Sequence, residues 1–199
     1  MNSTAAQATI ERLYAAFARL DGDGMAACYT ADAAFDDPAF SLRGRDQVGG
    51  MWQMLCDSTR AKGMAHWRLE VSDIATDAST GNGTGTGNGT GNGTGNGTST
   101  GTSTSTGTGT GTSTSTGRAH WEAHYLFPST GRLVHNRIDA SFVFGAQGLI
   151  ARHTDRFDFA AWSRQALGAT GWLLGWTPWL RAQVRRQAAA QLQRYLARR

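Results

Sequence analysis

Three side chains that lie far apart in the sequence could together move a proton next to a carbonyl group: Tyr14, Asp37 and Asp139. Shifting a double bond beside a ketone requires a carboxylate base that takes the proton. It also requires neutral donors, such as a phenol or a protonated acid, that hydrogen bond to the oxygen on which negative charge develops. By residue type alone, Asp37 could serve as such a base, and Tyr14 and Asp139 could serve as such donors.

These three residues also have a structural interpretation. Tyr14 would be a packed core residue with a hydrogen-bonded hydroxyl. Asp37 would stabilise the turn before Pro38. Arg137 lies two positions from Asp139 on one strand face, and a nearby guanidinium favours the ionised carboxylate, which cannot donate a hydrogen bond.

A second group, His120, Glu122 and Asp155, could open an epoxide. Opening an epoxide without a covalent intermediate requires an acid for the ring oxygen, a base for the attacking water and a cation that couples them. A histidine beside a carboxylate can act as acid or base near neutral pH. Because strand side chains alternate between faces, we expect His120 and Glu122 on one face and Asp155 reaching it from a neighbouring strand. The structural alternative is a solvated strand face, with Asp155 paired to a nearby arginine.

Helical spacing dominates the first part of the chain. Apolar side chains from Ile10 to Leu20 follow the i, i+3, i+4 pattern behind a candidate cap at Ser3 or Thr4, which predicts a helix with Tyr14 facing inward. Pro38 ends a strand, because it has no N–H to join a ladder. The predicted elements that follow the first helix are a short helix at 25–29, a strand at 33–37 and a helix at 48–55, loosened by two glycines.

The second part of the chain alternates with period two, which predicts strands at 67–71, 118–127, 133–144 and 149–159. Turn residues separate the last three of these strands. Helices come first and an antiparallel meander follows, so the order predicts an α+β fold.

Residues 78–117 consist of 15 Thr, 14 Gly, 6 Ser, 4 Asn and 1 Ala. Such a tract buries almost no apolar surface, and a surface loop tolerates added length at low entropic cost. We expect a disordered insertion that arose by neutral repeat expansion and interrupts one domain at 1–165. The alternative is a glycosylated spacer, because Asn82, Asn88, Asn92 and Asn96 begin Asn-Gly-Thr sequons.

Charge and cysteine usage exclude several classes of protein. Residues 160–199 contain seven arginines and no acidic residue, whereas residues 1–159 carry a net charge of −3. The main domain therefore gives no electrostatic reason to expect nucleic acid. The two cysteines and the absence of a leader pattern predict an untargeted cytoplasmic chain. No zinc spacing, phosphate-binding loop or Gly-x-Ser-x-Gly elbow is present, and we expect no metal or organic cofactor.

Four local motifs carry a family resemblance: Leu-Tyr-Ala-Ala-Phe at 13–17, Tyr-Thr-Ala-Asp-Ala-Ala-Phe-Asp-Asp-Pro at 29–38, Leu-Arg-Gly-Arg-Asp at 42–46 and Gly-Leu-Ile-Ala-Arg-His-Thr-Asp-Arg-Phe-Asp at 148–158. With this element order, the chain resembles the nuclear transport factor 2-like superfamily over 5–77 and 118–165. That superfamily includes SnoaL-like polyketide cyclases, ketosteroid isomerases and limonene epoxide hydrolases. The resemblance implies a cone-shaped fold, with N-terminal helices packed on a curved antiparallel sheet.

The resemblance also implies a site. Tyr14, Asp37 and Asp139 match the phenol, base and acid donor of ketosteroid isomerases. His120 and Glu122 stand where limonene epoxide hydrolases place Arg and Asp, and Asp155 matches their second Asp. The expected ligand is a small, largely apolar molecule, the expected assembly is a homodimer, and a non-catalytic ligand-binding or dimerisation module is the alternative. Residues expected to touch the ligand are Phe17, Phe35, Trp52 and Trp121.

Residues 166–199 form a basic, Trp/Arg-rich helical extension beyond the resemblance. Trp172, Trp176 and Trp179 precede a predicted helix whose apolar ridge is surrounded by arginines; the ridge is formed by Leu180, Val184, Ala188, Leu192 and Leu196. The pattern leaves three possibilities: packing on this domain or on a dimer partner, contact with a membrane surface, and nucleic acid.

Overall fold

The computed structural model describes residues 3–78 and 115–198 as one α+β domain with a helical C-terminal part. Two short 3₁₀ turns, at Met64–His66 and Ala146–Gly148, interrupt the strand region. The helices and strands, in chain order, are α1 (Ser3–Ala18), α2 (Gly22–Ala26), β1 (Tyr29–Asp36), β2 (Ser41–Arg43), α3 (Arg45–Ala61), β3 (Arg68–Ala78), β4 (Ser115–Leu126), β5 (Leu133–Phe144), β6 (Ile150–Arg156), α4 (Phe159–Leu167), α5 (Ala169–Leu174) and α6 (Pro178–Leu196).

The six strands form one curved sheet in the order β2-β1-β6-β5-β4-β3. All neighbours are antiparallel except β1 and β6, which run parallel with Phe35 opposite His153. The prediction of an all-antiparallel sheet is therefore wrong at this pair. The chain leaves β1 through β2 and α3, completes the β3–β5 meander, and returns to the free edge of β1 in the same direction.

The register divides the side chains of the sheet between two faces. Trp121 lies opposite Ile138, and Ala140 lies opposite Asp155, so these residues share one face, called here the inner face. His120 lies opposite Asp139 and Glu122 lies opposite Arg137 on the other, outer face. Period two thus separates adjacent residues of β4 onto surfaces with different surroundings.

Helices α1 and α3 cover the inner face. Ile10, Leu13, Tyr14 and Phe17 of α1 are buried, as their spacing predicts. In α3, Gly49 does not loosen the helix; it permits a close approach, since a Cβ there would stand 2.7 Å from the Cβ of Ala26. The α3 side chains buried in the same core are Val48, Met51, Trp52, Met54 and Cys56.

The end of the predicted last strand is helical instead. The Asp158 side chain caps α4 by accepting the N–H groups of Ala160 and Ala161 at 2.9 and 3.0 Å, so β6 ends at Arg156. Helix α4 then runs to Leu167, across the expected domain boundary at 165.

The C-terminal extension packs on its own domain. Thr177 caps α6, with Pro178 in the first turn, and Leu180 and Leu192 are buried. The Tyr195 hydroxyl donates to Asp57 Oδ2 of α3 at 2.6 Å. Of the possibilities left by the sequence, packing on this domain therefore accounts for the apolar ridge of α6.

Strands β3 and β4 extend into the predicted insertion, where Ala78 pairs with Ser115 and Thr76 with Gly117. Ala78 and residues 115–117 thus belong to the sheet. The rest of the expected disordered segment, with its four sequons, lies outside the described residues. Across 3–78 and 115–198, no helix combines the length and apolar character needed to cross a bilayer.

Candidate functional site

A cavity of about 330 Å³ lies between the inner face of the sheet, α3 and α6. The four residues expected to contact a ligand, Phe17, Phe35, Trp52 and Trp121, all line it. Val184, Gln187, Ala188 and Gln191 of α6 contribute to the wall, so the C-terminal extension closes part of the cavity. Its mostly aromatic and aliphatic lining suits a small, largely apolar molecule.

Asp37 lines this cavity from the loop between β1 and β2. Its Oδ1 accepts the backbone N–H groups of Ala39 and Phe40 at 2.6 and 2.5 Å, so the residue also stabilises the turn around Pro38. Burial raises the pKa of Asp37 to about 7, and the negative charge of Asp155 adds to the rise. The two N–H groups and Arg185 oppose the rise without cancelling it.

Asp155 is the second carboxylate of the cavity, and it is 4% exposed. Its Oδ1 accepts the His153 Nε2 proton at 2.9 Å and the Trp121 indole N–H at 3.4 Å. Asp155 thus accepts from side-chain donors, whereas Asp37 accepts from backbone N–H groups. The cavity thus holds two carboxylates in different surroundings.

A buried hydrogen-bonded chain stands behind Asp155. The Trp52 indole donates to the Tyr29 hydroxyl at 3.0 Å, and that hydroxyl lies 2.7 Å from His153 Nδ1. Each group has a suitable partner if Tyr29 donates to Nδ1 and His153 carries its proton on Nε2. The chain therefore directs its donors toward Asp155 and orients that carboxylate.

Tyr125 supplies a further polar atom to the cavity wall. Its hydroxyl oxygen accepts the Trp162 indole N–H at 2.9 Å. Burial raises the pKa of Tyr125 to about 12, with a contribution from the charge of Asp37. A neutral phenol whose oxygen already accepts one hydrogen bond can offer its own proton to an oxygen in the cavity.

Sequence reasoning missed Tyr29, Tyr125 and His153. A signal for His153 was present, because it lies two residues before Asp155 and a strand places such residues on one face. Tyr29 could not be found in this way, because its partners, His153 and Trp52, come from distant parts of the chain.

Comparison with known proteins identifies the family to which this chain belongs. A model of the SnoaL-like domain family matches residues 10–153. The chain belongs to the SnoaL-like family. The expected resemblance to the nuclear transport factor 2-like superfamily is confirmed by this match. No curated protein matches the sequence.

Solved structures share the SnoaL-like fold at low sequence identity. A putative polyketide cyclase from Xanthomonas campestris pv. campestris is 20% identical, with a TM-score of 0.50 over 83% of this chain and 99% of that chain. A putative isomerase from Bacillus subtilis is 13% identical, with a TM-score of 0.50 over 84% and 96% of the two chains. A protein of unknown function with a cystatin-like fold, from Methylobium petroleophilum PM1, is 14% identical, with a TM-score of 0.50 over 79% and 78%. These likenesses support the fold.

Tyr14 lies in the core of the SnoaL-like domain beside the cavity wall. Its ring packs against Trp121, with 6.1 Å between ring centroids, and against Phe142 at 6.5 Å. Burial raises the pKa of the Tyr14 hydroxyl well above its usual value, which keeps the phenol neutral. Among the described residues the hydroxyl has no hydrogen-bond partner, and Tyr14 does not line the cavity. The packing of the ring agrees with the interpretation of Tyr14 as a core residue. That interpretation also expected a hydrogen-bonded hydroxyl, which these residues do not provide.

Asp139, His120 and Glu122 lie on the outer face, away from the cavity. His120 Nδ1 is 2.7 Å from Asp139 Oδ1, and His120 Nε2 is 3.4 Å from Glu122 Oε1. The expectation that Asp155 reaches His120 and Glu122 is wrong, because its register position, opposite Ala140, belongs to the inner face. Asp139 likewise cannot serve the cavity as a donor.

The outer-face groups form their own ion-pair cluster. Glu122 also contacts His135 Nε2 at 2.5 Å and Arg137 Nε at 3.5 Å. The expected pairing of Arg137 with Asp139 is replaced by this contact with Glu122, its cross-strand neighbour. The hydrogen bond from His135 lowers the pKa of Glu122, and the hydrogen bond to Asp139 raises the pKa of His120. This agrees with the strand-face interpretation of His120 and Glu122.

No group of histidine, cysteine, aspartate and glutamate side chains within the described part of the chain could hold a metal ion. The outer-face cluster satisfies its histidines by ion pairing. The inner carboxylates are occupied by indole, imidazole and backbone donors.

Proposed function

We propose that this SnoaL-like protein is an enzyme that moves a proton within a small, largely apolar carbonyl compound. Asp37 takes the proton from the carbon next to the carbonyl group and returns it at another carbon, which shifts a double bond or allows ring closure. The observation that carries the proposal is that Asp37 and Asp155 line one apolar cavity while their surroundings differ. Two carboxyl groups in different surroundings can take different roles, here Asp37 as the group that carries the proton and Asp155 as a fixed charge.

The raised pKa of Asp37 suits this task. A general base works best when its pKa lies near the working pH, because it is then both ionised and basic enough to take a proton. With a pKa of about 7, Asp37 exists in both forms near neutral pH. It can accept a proton in one half of the reaction and give it back in the other.

Charge must be held on the substrate oxygen while the proton is on Asp37. When the C–H bond breaks, its electron pair moves into the carbon framework and gives an enolate. We assign the donor for that oxygen to Tyr125, which lines the cavity, in place of Tyr14 and Asp139, which do not. The hydrogen bond from Trp162 orients the Tyr125 hydroxyl for this role.

Asp155 acts through its charge in this proposal. His153 and Trp121 hold the carboxylate on the inner face, and its charge contributes to the raised pKa of Asp37. The sequence-based interpretation of Asp37 as the base is retained, and its partners change. Epoxide opening through His120, Glu122 and Asp155 is set aside, because the three residues do not share a face.

The test is hydrogen–deuterium exchange at the carbon next to the carbonyl group of cyclohexenone, followed by NMR in D₂O. We expect Asp37→Asn to slow the protein-dependent exchange by about 100-fold, the usual contribution of a positioned base. Asp139→Asn, the same change on the outer face, should leave the rate within about twofold. Equal loss in both variants, or no loss in Asp37→Asn, would remove Asp37 from the proposed role.

A non-catalytic ligand-binding module is the second candidate, and one observation favours it. Asp37 already accepts two backbone N–H groups, so its carboxylate has a structural reason to be there. Native mass spectrometry of the purified protein distinguishes the two functions. A co-purified apolar molecule that dissociates unchanged, together with no exchange above the buffer rate, would favour binding alone.

A further inference from the structure

Four large apolar side chains are exposed beside the helix that closes the cavity. Trp172 and Leu173 of α5, Trp176 in the connection and Trp179 in the first turn of α6 are 60–77% exposed. We call these four residues the tryptophan surface. The four residues lie within eight positions of the chain, and large exposed apolar patches mark interaction sites.

Three arginines lie next to members of the tryptophan surface. Arg164 places its guanidinium carbon 5.4 Å from the centre of the Trp172 ring. Trp176 shares a shallow groove with Arg181 and Arg185. In the sequence, residues 160–199 contain seven arginines and no acidic residue, so this part of the protein attracts an anionic partner.

We propose that the tryptophan surface docks on an anionic lipid bilayer. Indole rings favour the boundary between head groups and acyl chains, and arginines nearby attract anionic head groups. No helix among the described residues could span the bilayer, so the contact is interfacial. A second copy of the same surface would bring like charges together, which disfavours a symmetric dimer through it.

The position of α6 connects this surface to the cavity. Trp179 lies five residues before Val184, which lines the cavity, a rise of about 7.5 Å along the helix. Docking would therefore place the cavity close to the bilayer, where small apolar molecules concentrate. This consequence rests on the proposed ligand cavity, whereas docking itself does not.

Co-sedimentation of the full chain with lipid vesicles tests the docking. Phosphatidylcholine vesicles containing about one third phosphatidylserine should bind the protein, with weaker binding to pure phosphatidylcholine and in high salt. A variant with Trp172→Ser, Trp176→Ser and Trp179→Ser should lose binding by about tenfold or more. Because these side chains are exposed, the variant should keep its circular dichroism spectrum.

Met64→Ser is the matched control, because Met64 is also exposed, at 52%, and lies outside the basic extension. It should bind vesicles like the unchanged protein. The proposal is overturned if the unchanged protein does not sediment with anionic vesicles, or if the triple variant sediments equally well. It is also overturned if the triple variant changes the oligomeric state in analytical ultracentrifugation and not vesicle binding, which would assign the surface to a second copy. Loss of vesicle binding with normal proton exchange separates this result from failure of the proposed function.

Discussion

The two faces of the sheet carry the same kinds of side chain in different surroundings. On the inner face, His153 and Asp155 are paired at 2.9 Å and are 1% and 4% exposed. On the outer face, His120 and Asp139 are paired at 2.7 Å, and their side chains are 29% and 82% exposed. Water screens the outer pair, whereas the inner pair is buried in the low-dielectric interior. The two pairs have similar geometry, so the difference between them is burial, which depends on the face of the sheet.

The largest difference in stability between variants of the two faces should come from breaking the inner chain, the buried hydrogen bonds that link Trp52, Tyr29, His153 and Asp155. Tyr29→Phe removes the hydroxyl that joins Trp52 to His153, and it leaves two buried polar atoms without that partner. We expect a loss of about 1–3 kcal/mol in the free energy of unfolding, measured by urea denaturation.

Asp139→Asn is the outer-face counterpart of that change and should alter the free energy of unfolding by less than about 0.5 kcal/mol. If the two variants lose equal stability, the inner chain contributes no more than a surface ion pair. The contrast drawn between the faces would then fail.

The charge of Asp155 should be visible in the titration of Asp37. Asp155→Asn keeps an oxygen that can accept from His153 and Trp121, but it removes the negative charge that helps to raise the pKa of Asp37. We expect the midpoint for Asp37, followed by carbon-13 NMR of labelled aspartate, to fall from about 7 by on the order of one unit.

Glu122→Gln removes a negative charge from the outer face and is the matched control. The midpoint for Asp37 should not change in this variant, because solvent screens the outer face and the sheet separates it from the cavity. A rise of the midpoint in Asp155→Asn, or equal shifts in both variants, would contradict the assignment of the two carboxylates to one cavity.

The smallest expected effect belongs to His120. Its pKa is raised in the folded protein by Asp139, so the folded state binds the proton more tightly than the unfolded state. This contribution to stability is complete below the ordinary pKa of about 6.5 and is lost as the pH rises through the higher folded value. His120→Gln should therefore cost about 0.5 kcal/mol at pH 5.5 and less at pH 8.5. Denaturation of both proteins at the two pH values measures the difference, and a larger cost at pH 8.5 would show the opposite sign.

Local patterns were sufficient for much of the fold. The spacing from Ile10 to Phe17 predicted the buried side of α1, and period two predicted β3, β4 and β5. Pro38 predicted a strand ending at Asp37, and β1 ends one residue earlier, at Asp36. These features depend on interactions between near neighbours in the chain, and those can be read from the order of residues.

Other features depended on partners distant in sequence. Asp139 and Asp155 both stood on predicted strands, but only the register showed that they occupy opposite faces. A shift of one residue exchanges the two faces of a strand, and no local pattern determined that register. The parallel pairing of β1 with β6 was hidden for the same reason, since the two strands are more than 100 residues apart.

The sequence by itself determined the family, the α+β order, the candidate base Asp37 and the concentration of positive charge in the last 40 residues. The tertiary structure alone decided which carboxylates share a cavity, which aromatic side chains stay exposed and where α6 lies. The physical reason is that a residue's type sets its possible chemistry, whereas burial and the charges around it set its pKa and its accessible partners.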